Sequence, residues 1–340
     1  MKNLTPILCA GALSFSVVAQ NTPAVNQATT VQQQQQTTKL LNELSQGDNV
    51  PPLYSEEDAD VGPQSVLRKR KATWFRVSAD AQLFYTDNMN YQEQDDARRE
   101  AGVAVSTLEA ALTTPPCITR FASYRGELGY RHQFFNYLGG NGRDDFNFDS
   151  STAFADMIAQ TKHYQFRAGF DYTRLLGFEP LRMDDYCDFY TEYVPRWSVQ
   201  RNIRVCDLSM ISLAYLGSYH FTDEGPPAIF SPAPINPDLL NELFPSDRSE
   251  RWEHTFLAAY SVALPHHFVA QPYYRFQYSE FVNADDCLRL HTVGLGIGWI
   301  PCENFSVRGF VGYNWQDASN SNAEYEKLDA GGGINLTFRF

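Results

Sequence analysis

Basic charge is scarce in this chain: 27 Lys and Arg stand against 40 Asp and Glu, a formal net charge of −13. A surface of that sign does not track a phosphate backbone, so nucleic acid is excluded as a general partner. Long apolar runs are scarce as well. After the N-terminal twenty or so residues no stretch of about 18 apolar residues occurs, which excludes a membrane-spanning helix beyond that point. Cysteine is rare, six in all, and no close Cys/His spacing suits zinc, so no metal or cofactor is expected. A Gly-x-Ser-x-Gly pattern is missing, and His132, His254, His266, His267 and His291 have no serine context of a hydrolase. No enzymatic role is expected from the sequence.

The ends of the chain differ in character. MKNLTPILCAGALSFSVVAQ carries one Lys, an apolar core and Val17-Val18-Ala19, the pattern of a secretory signal peptide over residues 1–19. Five cysteines follow it: Cys117, Cys187, Cys206, Cys287 and Cys302. An odd number leaves at least one unpaired or joined to another molecule, and the connectivity is not readable from spacing. Residues 20–73 are rich in Asn, Gln, Thr and Pro, with five Gln from Gln32 to Gln36. That composition buries too little apolar surface to offset chain entropy, so a mostly disordered arm is expected. One short helix fits Thr37–Gln46, where Leu40, Leu41 and Leu44 share a face and Gly47 suits the end. The basic run Arg68–Lys71 precedes the first strand.

From Trp74 onward the period is two. WFRVSADAQLFYT puts Phe75, Val77, Ala79, Ala81, Leu83 and Tyr85 on one face and Arg76, Ser78, Asp80 and Gln82 on the other. YRGELGYRHQF, QFRAGFDYTR, WEHTFLAAYSV, AQPYYRFQYSE, HTVGLGIGWI and FSVRGFVGYNW alternate in the same way. GVAVSTLEAAL, STAFADMIAQ, DFYTEYVPRWSV and the stretch 205–221 are weaker and ambiguous in facing. The terminal stretch AGGGINLTFRF alternates to its last residue, which predicts a strand held by a partner. About twelve strands result. Their connections alternate between tight ones (near Thr113, Thr161, Gln200, Leu264 and Pro301) and long polar ones. That asymmetry, with an even strand count, predicts an antiparallel up-and-down transmembrane β-barrel over residues 74–340 whose last strand pairs with its first. Tyr85, Tyr130, Tyr172, Tyr278, Trp299 and Trp315 sit near strand ends, as interfacial aromatics do. The competing reading is a secreted β-sandwich or lipocalin-like barrel, with apolar faces inward. Polar faces rich in Gly, Ser and Thr weigh against it.

Signal peptide, alternating strands and the terminal INLTFRF together resemble a Gram-negative outer-membrane β-barrel protein, porin-like in kind. The resemblance implies location in the outer membrane. It also implies that Phe340, with Ile334, Leu336 and Phe338 before it, is the signal read by the barrel-assembly machinery. It covers about residues 74–340 and assigns no subfamily.

If the apolar face meets lipid, the polar face lines the interior. The stronger strands then send in Arg76, Asp80, Arg125, Glu127, Arg131, Arg167, Asp171, Arg275, Arg308, Asp329 and Arg339, seven Arg against four acids. A charge on the lipid face costs about 2–4 kcal/mol near mid-bilayer, which sets the assignment. Gly294, Gly296, Gly298, Gly312, Gly331 and Gly333 leave one wall bare, either for strong sheet coiling or to make room for a solute or the N-terminal segment. Four Asp pairs (95–96, 144–145, 184–185, 285–286) mark the long connections as an acidic rim. Two roles fit. One is a narrow passive channel for small hydrophilic, mildly anion-preferring passage. The other is a non-conducting structural or tethering barrel that acts through its outer loops or through a periplasmic partner of the arm. An outer-membrane hydrolase is a third, for which no motif speaks.

Overall fold

Alternation of apolar and polar side chains yields twelve long strands. The computed structural model describes Gln27, Ala28, Val31 and residues 74–340, apart from 92–98, 140–146, 179–185, 207, 225–246, 248, 284–285, 303 and 320–322. In chain order the elements are β1 (Phe75–Thr86), β2 (Ala101–Thr113), β3 (Cys117–Ile118), β4 (Ser123–Leu138), β5 (Phe148–Gln160), β6 (Tyr164–Phe178) and β7 (Tyr186–Cys206). Then follow β8 (Ser209–Glu224), β9 (Arg251–Leu264), β10 (Phe268–Phe281), β11 (Cys287–Cys302), β12 (Phe305–Ala318) and β13 (Tyr325–Arg339). β3 is a two-residue strand that pairs with the start of β4 and stands outside the main ring.

Neighbouring strands pair antiparallel throughout, with β2 pairing β4 directly. β1 pairs with β13 from Arg76–Arg339 to Thr86–Asp329, so the sheet closes on itself. At the seam Trp74 N–H donates to the Phe340 carbonyl at 2.8 Å, and Phe340 N–H donates to the Phe75 carbonyl at 2.8 Å. The final residue is held because the first strand completes its ladder. Closure also removes both free sheet edges, which would otherwise template aggregation.

The two faces are sorted in the inverse of a soluble protein. Leu83, Leu108, Leu128, Phe256, Val293 and Ile334 all stand exposed on the outside, while Asp80, Glu109, Thr152, Glu253, Gln277 and Asp329 are buried inside. A continuous apolar belt around a monomer has no place in water and is what hydrocarbon requires. This excludes the β-sandwich and lipocalin-like readings. Tyr85 and Trp252 near the long-loop end, and Tyr124, Trp299 and Phe338 near the tight-turn end, are exposed in the belt's two girdles, whereas Tyr130 is exposed midway along β4.

Turn chemistry departs from the sequence reading in one place. The tight connection expected at Gln200 is strand: β7 runs on to Cys206, and β8 begins at Ser209. Ile203–Ile211 and Arg204–Met210 pairing extends this hairpin, because β-branched and polar residues there continue the alternation instead of breaking it. The other tight connections fall where expected. The β9–β10 connection is the three residues Pro265–His267 between the paired Leu264 and Phe268, and His266 (φ 61°) and His267 (φ 66°) both take the left-handed conformation that non-glycine residues rarely adopt.

Pairing resolves the strands whose facing was ambiguous. In β8, Leu213 opposes Ala258 and Tyr215 opposes Phe256, both lipid-side residues of β9. Ile211, Leu213 and Tyr215 thus go outward, and Met210 and Leu216 go inward. A slip of one residue would reverse the whole strand. The helix over Thr37–Gln46, the run Arg68–Lys71, the signal peptide, Cys187's side chain and the Asp pairs except Asp286 lie outside the described residues. Cys117, Cys287 and Cys302 are free thiols, and Cys206 Sγ lies 2.9 Å from Ser209 Oγ.

Leu295 is outward-facing midway along β11. Leu295→Arg is expected to lower folding stability in bilayers by about 2–4 kcal/mol, read from reversible urea unfolding by tryptophan fluorescence.

Candidate functional site

The interior of the barrel is a circuit of ion pairs and hydrogen bonds. Arg308 on β12 grips both oxygens of Asp80 on β1 at 2.7 and 2.8 Å and donates to Gln82 at 2.9 Å. To do so it spans β13, which lies between them at Gly333. Arg76 reaches Glu109 at 2.7 Å and also Glu127, while Arg131 holds the other oxygen of Glu109 at 2.8 Å. Arg131 stands over the Phe154 ring at 5.6 Å, linking β4 to β5. Arg196 on β7 makes a two-point contact with Asp171 at 2.8 and 2.9 Å and reaches Asp156 on β5 at 3.0 Å. Gly169 makes this possible: a Cβ there would stand 2.0 Å from the Asp156 carboxylate.

His220 joins β7 to β9, with Nδ1 at 3.1 Å from Glu192 and Nε2 at 3.8 Å from Glu253. Gln271 donates to Ser261 at 3.0 Å between β9 and β10. Arg275 donates to Thr292 at 3.0 Å, Thr292 to Asn314 at 2.8 Å, and Asn314 to Asp329 at 3.2 Å. Asn335 reaches Asp80 at 3.5 Å and returns the circuit to β1. Two-point Arg–carboxylate contacts are the strongest and most directional of these. Charges buried in such a wall are tolerated only when paired.

All eleven charged residues singled out in the sequence share the inward face of their strands with these positions. Arg125 and Arg167 flank the buried Ile158 in one row across β4, β5 and β6. Arg339 is the strand-end partner of Arg76. The weaker strands add Glu109, Asp156 and Glu192 against Arg196, and β9 and β13 add Glu253 against Arg251 and Lys327. The excess of Arg read from the stronger strands therefore shrinks, chiefly because three of the missing acids sat on strands whose facing was ambiguous. Glu109 lies directly opposite Arg131, so the hairpin register alone would have found it. Arg196 was hidden by Pro195 beside it on the lipid face.

The long-loop half of the interior holds an apolar patch beside its buried polar groups, among them Glu192, His220, Arg251, Lys327 and Asp329. Phe84, Met89, Val103, Val105, Phe135 and Tyr137 form one buried apolar cluster, and it contains Ala28 and Val31. Gln27, Ala28 and Val31 are in helical conformation, and Gln27 and Val31 are 0% exposed. Ala28 and Val31, three apart, fall on one helix face and fill the cup. Gln27 Oε1 accepts from Tyr91 O–H at 2.8 Å and from Lys327 Nζ at 3.1 Å. Lys327 also donates to Tyr91 at 3.0 Å and lies 3.4 Å from Asp329. Tyr91 itself has φ 54°, a conformation that an aromatic residue adopts only when its contacts demand it. These residues of the arm thus lie inside the barrel, one of the placements the glycine wall left open in the sequence.

The surroundings of the glycine wall differ along its height. On β13 a Cβ at Gly331 would meet the Leu83 carbonyl at 2.4 Å, so close approach of β1 requires glycine there. On β11 a Cβ at Gly298 would meet nothing within 4 Å. The tight-turn half of the interior is open at that point.

No protein-family model and no curated protein matches the sequence. Among solved structures the chain is similar to an outer-membrane channel from Pseudomonas putida F1, with TM-score 0.49 and 6% identity over 82% of this chain and 100% of that one. It is similar to the β domain of the Bordetella autotransporter BrkA (0.41, 9%, 78% and 99%) and to the KdgM porin in complex with disordered oligogalacturonate (0.39, 9%, 77% and 99%). Likeness at this level carries no information on activity. The closed ring of twelve long strands and its outward apolar belt make the chain a β-barrel of the outer-membrane type.

Removing Arg308 leaves Asp80 buried and uncompensated. Arg308→Ala is expected to cost about 3 kcal/mol in urea unfolding, and clearly less when Asp80→Asn is already present.

Proposed function

We propose that the chain is a narrow outer-membrane channel for small hydrophilic solutes, shut at its long-loop mouth by its own Gln27, Ala28 and Val31. The observation that carries this is the burial of those three residues in an apolar cup above an interior that opens at Gly298. With short turns on the periplasmic side, as loop lengths favour, the closed mouth faces the exterior. Arg125 and Arg167 on the open half give the path a mild preference for anions. Arg167 has no ion-pair partner among the described residues. Outward Ile334, Leu336, Phe338 and Phe340 serve as the assembly signal in this reading, with lipid as the barrel's constant partner.

The second reading is a non-conducting structural barrel, and the completeness of the ion-pair circuit favours it. Planar-bilayer conductance of the mature chain separates the two. The channel reading expects small or rare ohmic steps from the wild type. It expects several-fold larger ones from Val31→Asp, whose charge cannot stay in the cup, and from a variant lacking residues 21–35. Neutralising Arg125 and Arg167 should shift selectivity toward cations. Silence in all variants that still fold as heat-resistant barrels would establish the structural reading instead.

A further inference from the structure

The His220 cluster contains more than a brace. Ser218 Oγ lies 3.0 Å from His220 Nε2, and His220 Nδ1 lies 3.1 Å from Glu192 Oε2. Tyr190 O–H donates to the same Glu192 oxygen at 2.8 Å and fixes the carboxylate. Hydroxyl, imidazole and carboxylate thus stand in series, each ring nitrogen facing the correct partner. This is the arrangement that activates a serine nucleophile: a base within hydrogen-bond reach, oriented by a third group. Three strands build it. Glu192 comes from β7, Ser218 and His220 from two successive inward positions of β8, and Glu253 and the buried Arg251 flank it from β9.

A second serine–histidine contact occurs on the lipid face, where Ser151 lies 2.8 Å from His132 Nδ1. Its acid, Asp149, is 3.9 Å from Nε2, beyond hydrogen-bond range. Only the inward cluster is complete among the described residues.

We propose that Ser218, His220 and Glu192 form an esterase site within the barrel, acting on a small carboxylic ester with a short apolar acyl group. Val194, buried on the inward face of β7 two positions from the cross-strand partner of Ser218, provides the apolar wall beside the serine. In the first step the Ser218 hydroxyl proton moves to His220 Nε2 as Oγ bonds to the ester carbon. The carbon–alkoxy bond then breaks, and the alcohol leaves with the proton from Nε2. Water next gives a proton to Nε2 and its oxygen to the acyl carbon. The acid is released as Ser218 recovers its hydrogen. No oxidant, metal or further reactant takes part. Ser218 and His220 are the catalytic residues, and Glu192 and Tyr190 position the imidazole. The site is independent of the channel reading, since conductance does not depend on it.

The test is covalent labelling of the refolded mature chain with a small fluorophosphonate, followed by peptide mass mapping. The result expected is one adduct, on Ser218. It should vanish in Ser218→Ala and persist in Ser212→Ala, an inward serine of the same strand outside the cluster. Hydrolysis of p-nitrophenyl butyrate should fall about 100-fold or more in His220→Ala. Glu192→Ala should lower kcat with little change in KM, and Glu192→Asp should recover part of the loss. Absence of an adduct on Ser218 in the folded wild-type barrel overturns the proposal, and needs no variant to be interpreted.

Discussion

Pairing of inward charges across strands that are not neighbours is the interaction on which the rest of the barrel depends. Backbone ladders join each strand to the next and close the ring, but they leave many charged side chains facing a confined interior. Arg308 reaches over β13 to Asp80, and Arg196 reaches over β6 to Asp156. These contacts tie the wall at a second radius and fix which face is inside. With the inward charges satisfied, the outward positions are left free to be apolar. The lipid belt and the polar circuit are therefore two consequences of one alternation.

The interior is graded along its axis. Its middle is polar and braced, its long-loop end sets an apolar cup beside the buried Arg251, Lys327 and Asp329, and its tight-turn end opens at Gly298. A cup of Phe84, Val103, Val105 and Phe135 facing water would be costly, and Ala28 and Val31 cover it. Gln27 is held by Tyr91 and Lys327, so its burial is compensated by hydrogen bonds to two side chains. The same N-terminal residues thus complete the packing of that end.

Much of the barrel was legible in the sequence. Strands such as 74–86 and 325–340 show an undisturbed period of two, and the alternation of short and long connections gave their order. The end of β7 was missed because Gln200–Asn202 looks like a polar turn, yet neighbour pairing keeps it extended to Cys206. The lumen was only half legible. Arg76, Asp80, Arg131, Asp171 and Arg308 stand on strongly patterned strands. Their partners Glu109, Asp156 and Arg196 stand on β2, β5 and β7, where inward Val103, Val105, Phe154 and Val194 blur the contrast between faces. An apolar lumen end and an apolar lipid face look alike to a period-two reading. His220 and Ser218 come next to Glu192 only through strand register, which no local motif reports.

The graded interior is tested most directly by the reactivity of single cysteines with a small water-soluble maleimide, in a chain whose native cysteines are replaced by serine. Val103→Cys probes the cup and Gly298→Cys the open half. The result expected is rapid labelling at 298, and labelling at 103 that is far slower until residues 21–35 are removed. Equal rates at the two positions in the intact chain would contradict the plugged, graded lumen.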